Sequence, residues 1–186
     1  MTSLWYVARG TGTVALVMLT LAVLLGVLNR SGRRFPGLPR FAVADLHRTA
    51  SLTAVVLVGV HLVSLWLDPY AALRVVDLVV PFTASYRPLY VGLGTLAVDL
   101  LAAVTVTSLL RFRLGQKAFR TVHWAVYGLW AMAVGHGLGA GTDGGTQWFR
   151  WLTVACVATV AVAVTWRVRP RVQQRHQERV PRVVAR

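Results

Sequence analysis

Five stretches of this 186-residue chain run for about twenty residues with hardly a charge, and few folds can accept them. They cover about Trp5 to Leu28, Phe41 to Leu67, Leu89 to Leu110, Ala118 to Leu138 and Trp148 to Trp166. A helix rises about 1.5 Å per residue, so each run matches the roughly 30 Å apolar thickness of a bilayer. Lipid offers no partner to a backbone N–H or C=O, so a run of this length must pair its own backbone as a helix. The expected fold is an all-α membrane protein, a bundle of five transmembrane helices. With 14% charged residues and a mean hydropathy of +0.59, the chain is too apolar for an ordinary soluble domain. The first run is longer than a signal-peptide core and lacks both a basic leader and a clear cleavage site, so it reads as a retained helix.

Most of the formal charge of +14 lies between the runs rather than in them. Arg30, Arg33, Arg34 and Arg40 follow the first run, Arg111, Arg113, Lys117 and Arg120 the third, and seven arginines with one glutamate the fifth. The turns after the second and fourth runs are neutral or weakly acidic. Positive charge stays on the cytoplasmic side, which puts the N-terminus outside, the C-terminus inside and the protein in the cell (plasma) membrane as a multi-pass chain. Basic residues placed as topology signals argue for membrane lipid as the partner and against nucleic acid. Residues 1–168 then form the transmembrane domain, and 169–186 a basic cytoplasmic tail too polar to fold alone. Between the second and third runs, Leu73 to Val80 is apolar enough for a short interfacial helix, and the loop Asp68 to Pro88 reads as a lid. The glycines from Gly137 to Gly145 follow a helix instead of linking a strand to one, so they read as a C-cap and tight loop, not a nucleotide site. Cys156, the one cysteine, falls mid-run and reads as packing.

Four of the five histidines sit inside the apolar runs, two in each of two runs: His47 and His61, then His123 and His136. A histidine in a bilayer is costly and marks function by default. Because both runs start from a basic cytoplasmic turn, they are parallel, with His47 and His123 near the inner face and His61 and His136 near the outer. Each pair is separated along its helix by roughly 20 Å. At about 100° per residue, His47 and His61 fall within about 40° of one face, whereas His123 and His136 are offset by about 140° and require a local distortion, expected near Gly135 and Gly137. A single metal can bridge only residues at one depth, so His47 pairs with His123 and His61 with His136. Imidazole is a haem-iron ligand, and without a CxxCH motif the haem would be of b type. The rival reading keeps the four histidines as structural hydrogen-bonding residues of a non-enzymatic membrane assembly or transport subunit. His176, in the tail, reads as solvated.

The pattern His47-x13-His61 and His123-x12-His136, with the phrases LHRTASLTAVVLVGVHL and VHWAVYGLWAMAVGHGLGAGTD, resembles the ferric reductase transmembrane domain. That domain is shared by ferric reductases, NADPH oxidases and the membrane haem subunit of the bacterial periplasmic methionine-sulfoxide reductase system, and the phrases are most similar to small actinobacterial members. The resemblance implies that each of two helices gives one ligand to each of two b-type haems, and that the chain carries electrons across the membrane as an oxidoreductase subunit. It departs in having five runs where the family has six helices, and no flavin or NAD(P) domain is expected in this chain. A separate donor, a quinol or a flavoprotein, and an extracytoplasmic acceptor would then be its partners. Arg48 and Arg120 at the inner end, and Arg9, Arg87 and Arg150 at the outer, are candidates for haem propionates because guanidinium matches carboxylate bidentately; the plain alternative is snorkelling. Asp99, near mid-span, should be protonated or paired.

Overall fold

A computed structural model describes residues 2–31 and 39–168. Among them every regular element is helical: α1 (Ser3–Ser31), α2 (Arg40–Leu67), α3 (Val75–Val79), α4 (Pro88–Leu109), α5 (Arg111–His123), α6 (Val126–Gly139), a 3₁₀ turn (Thr142–Gly145) and α7 (Gln147–Val168). The basic tail 169–186 and most of the first loop, including Arg33, Arg34 and Pro36, lie outside the described residues.

Helices α1, α2, α4 and α7 are each long and apolar enough to cross a membrane. Their outward faces carry large apolar side chains, with Val56, Val63, Val106, Val154 and Val162 all more than half exposed, as suits a surface in contact with lipid. The protein is a multi-pass membrane protein. The fourth apolar run is handled differently: the chain turns at Trp124 and Ala125, so the run is shared between the end of α5 and the fourteen-residue α6.

Local chemistry explains most boundaries. Pro39 caps α2, and Pro88 starts α4 where its missing N–H costs nothing. Asp68 closes α2, its Oδ1 accepting the Tyr70 N–H at 3.0 Å in a turn that Pro69 prevents from continuing as helix. The 68–88 connection does contain the short helix expected there, α3, held by Asp77. Its carboxylate accepts from the Arg74 backbone N–H and guanidinium and from the Thr83 hydroxyl, and Arg74 holds the carboxyl well below the usual carboxylate range.

Packing is dominated by α1, which lies along α2 and also meets α6 and α7, while α4 packs on α6. The shared core of Leu19, Val23, Ala54, Ala97, Val104, Leu129, Trp130, Cys156 and Val160 confirms Cys156 as a packed side chain. Trp130 Nε1 donates to Thr20 Oγ1 at 3.0 Å and pins α6 to α1. Without a hydrophobic effect between helices in lipid, such close packing and interhelical hydrogen bonds hold the bundle. Helices α2 and α6 are not a closely packed pair. The space between them becomes the site.

Candidate functional site

The histidines of α2 reach across that space to those at the end of α5 and in α6. The His61 and His136 ring centroids lie 6.2 Å apart and those of His47 and His123 6.3 Å, with the planes near perpendicular at 84° and 75°. All four rings are half-buried. Among the described residues no three metal-ligating side chains cluster, so each place offers a pair of imidazoles and nothing more.

Neighbouring helices set the ring tautomers. His47 Nδ1 lies 2.9 Å from the Ala22 carbonyl, His61 Nδ1 2.7 Å from the Ala8 carbonyl, and His136 Nδ1 2.9 Å from the Tyr90 carbonyl. A carbonyl oxygen only accepts, so Nδ1 carries the proton in each ring and the Nε2 lone pair stays free. In every case a glycine lies four residues beyond the carbonyl. A Cβ on Gly12 would meet His61 Nδ1 at 2.9 Å, on Gly26 His47 Cε1 at 3.3 Å, and on Gly94 His136 Nδ1 at 2.5 Å. Sequence reasoning missed these glycines. Gly12 and Gly26 repeat at the fourteen-residue interval of His61 and His47, and that shared interval was the available signal.

The unequal histidine spacings are reconciled at Trp124 and Ala125, not at Gly135 and Gly137, which lie within regular α6. There the backbone adopts i→i+3 bonds, Ala125 N–H to Val122 carbonyl and Tyr127 N–H to Trp124 carbonyl. A 3₁₀ turn rises about 2.0 Å and rotates about 120° per residue. About three such residues stretch the His123–His136 separation to about 21 Å, equal to that of His47–His61, and cut the angular offset from about 140° to about 80°. The distortion sits directly after His123, where it can move the two histidines relative to each other.

Around His61 and His136 a cavity of about 500 Å³ opens between the helices. Apolar residues from α1, α2, α4 and α6, including Leu16, Val58, Val98 and Leu129, line it, with Arg9 and Asp143 at one edge. Its size and apolar lining with a few polar groups suit a cofactor-sized ligand. The 68–88 connection contributes Tyr70, Leu73 and Tyr86 to its wall, and Trp5 meets Tyr70 edge-on at 5.5 Å.

The five arginines are not equivalent. Arg9 lines the cavity and already holds Asp143 through two contacts, its Nε 2.8 Å from Oδ2 and its Nη2 on Oδ1. Asp143 was not expected as its partner. Arg87 donates to the Gly139 carbonyl and lies over the Tyr86 ring, and Arg150 Nε donates to the Gly144 carbonyl at 3.1 Å. Arg48 and Arg120 are exposed near His47 and His123 in the chain. Asp99 lies on the exposed face of α4 and takes no part in the cavity wall.

No curated protein and no solved structure matches the chain. One family does, described as the ferric reductase like transmembrane component: its match runs over residues 11–134, from early α1 into α6, and includes His47, His61 and His123 before ending just short of His136. With most of its length and three of its four membrane histidines inside that match, the chain belongs to the ferric reductase-like transmembrane family.

Proposed function

We propose that this protein is a membrane di-haem b-type cytochrome that carries electrons across the bilayer as the transmembrane subunit of a ferric reductase-like oxidoreductase. The observation that carries the reading is the ring separation. With metal–nitrogen bonds of about 2 Å and roughly 1 Å more to each ring centre, two imidazoles on one metal have centroids about 6 Å apart. Both pairs meet that distance, and the free Nε2 of His47, His61 and His136 is the atom a metal requires. His47 with His123, and His61 with His136, would hold a haem iron, which would supply a one-electron ferric–ferrous couple. The chain's own residues do the rest: they hold the ring tautomers, set the two ligand planes and line the outer space with apolar side chains.

In this reading the end of α5 and α6 together make the fourth of five crossings, the N-terminus lies outside and the C-terminus in the cytoplasm, because the basic turns stay inside. His47 and His123 form the inner centre and His61 and His136 the outer. Arg9, Arg87 and Arg150 lie at the outer end with guanidinium donors to spare for propionates, and Arg48 and Arg120 lie at the inner end. The electron donor is a separate quinol or flavoprotein, and the acceptor is extracytoplasmic.

The test is the absorption spectrum of the purified protein with its haem content by pyridine haemochrome. Expected are a low-spin b-type spectrum, close to two haems per chain, and full extraction of the haem into acid acetone. Folded, colourless protein that takes up no added haem would leave the histidines structural and sink the proposal.

A further inference from the structure

Three histidines are clamped to a neighbouring helix and the fourth is not. Among the described residues His123 Nδ1 is buried with no hydrogen-bond partner, while its counterparts on His47, His61 and His136 each donate to a backbone carbonyl. The pattern on the supporting helices shows where the fourth clamp is missing. On α1 the carbonyl-and-glycine unit occurs twice at a fourteen-residue interval, Ala8 with Gly12 and Ala22 with Gly26. On α4 it occurs once, as Tyr90 with Gly94, and the same interval leads to Val104 and Ser108. Serine stands where the glycine would be. The Val104 carbonyl instead accepts the Ser108 hydroxyl at 2.6 Å and the Thr107 hydroxyl at 3.1 Å.

We infer that the two centres are deliberately unequal, the outer one bearing two carbonyl-clamped imidazoles and the inner one only one, so that the inner centre has the higher reduction potential. The inference rests on the haem reading above. A ligating histidine that donates its second N–H to a carbonyl becomes a more basic ligand, and a more basic ligand favours the ferric over the ferrous state. Two clamps therefore hold the outer couple low. The order of potentials is thus set by this chain alone, and an electron shared between the two centres rests on the inner one. Gly12, Gly26 and Gly94 are positioning residues: they touch no iron and act by letting the rings reach their carbonyls.

The experiment is a spectroelectrochemical titration of the wild-type holoprotein and of Gly94→Ala, with haem content measured on each. The wild type should titrate in two components. In Gly94→Ala the added methyl would stand 2.5 Å from His136 Nδ1, so the ring must leave the Tyr90 carbonyl. The lower component should then rise while the upper stays, by about tenfold in its reduction equilibrium, or about 59 mV for one electron. Gly12→Ala, whose methyl would stand 2.9 Å from His61 Nδ1, should raise the same component. If either variant sheds the outer haem, the component that survives must be the wild type's upper one. Survival of the lower component, a shift of the upper one, or unmoved potentials with both haems bound would each overturn the inference. Wild-type protein that binds no haem overturns the haem reading itself, whereas two haems in the reverse order overturn this inference alone.

Discussion

Replacing the four membrane histidines one at a time by alanine should sort them into two classes. His61→Ala and His136→Ala should abolish the same redox component, and His47→Ala and His123→Ala the other. The magnitudes come from the geometry. Partners within a class have ring centroids 6.2 or 6.3 Å apart, whereas the two positions along α2 are separated by fourteen residues, about 21 Å. No single iron spans that distance, so a variant can empty only one centre. Haem content should fall from about two per chain to about one. The loss should not reflect unfolding: each substitution removes at most one neutral interhelical hydrogen bond, worth about 1 kcal/mol, and the Leu129–Trp130 core between α6 and α1 is untouched. Helical content by circular dichroism should therefore match the wild type. Pyridine haemochrome and redox titration of the four proteins decide the matter. If His61→Ala and His123→Ala remove the same component, the ligand helices are not parallel and the arrangement described here fails.

Other outcomes follow. The ring planes, 84° and 75° apart, should give the strongly anisotropic, large-gmax low-spin EPR signals of near-perpendicular imidazoles; two rhombic signals of parallel imidazoles would show that the rings turn when iron binds. Dithionite or a quinol should reduce the purified protein and NADPH alone should not; rapid reduction by NADPH would reveal a nucleotide site in this chain. Arg74 depresses the Asp77 carboxyl in the folded state, so its contribution to α3 is complete above the ordinary aspartate value of about 4 and fades as pH falls below it. Hydrogen exchange over residues 72–86 should therefore be faster in Asp77→Asn than in wild type at neutral pH and converge with it in acid; a difference that persists in acid would contradict this.

What could be read without coordinates was what hydrophobic length and charge control. The apolar runs, the paired depths of the four histidines and a short helix after Asp68 all follow from burial and from the cost of polar groups in lipid. The place of the distortion in the fourth run did not follow. Gly135 and Gly137 are intrinsically the weaker points, but both lie in regular α6, and the i→i+3 bonds fall at Trp124–Ala125, next to the packed Leu129–Trp130 core, where packing and not glycine propensity sets the backbone. The carbonyl clamps were equally hidden, because a backbone acceptor has no letter in a sequence; only the glycines that expose it do. Asp143 looked like part of a glycine-rich loop, and its pairing with Arg9 joins residues 134 positions apart, beyond any local pattern.

The tightened turn after His123 works as a vernier between residue count and height. Thirteen residues reach as far as fourteen because a few of them are drawn out, so what the bundle holds constant is the vertical distance between its two histidine pairs, not the number of residues that measures it. A chain with one more residue between Val122 and Tyr127 could relax that turn to ordinary α-helix and hold the two histidines at the same heights, with their angular offset about 40° smaller. In height, the histidine spacing of the α5–α6 segment is therefore free to drift by one residue, while in α2, which has no such adjustable turn, it is not.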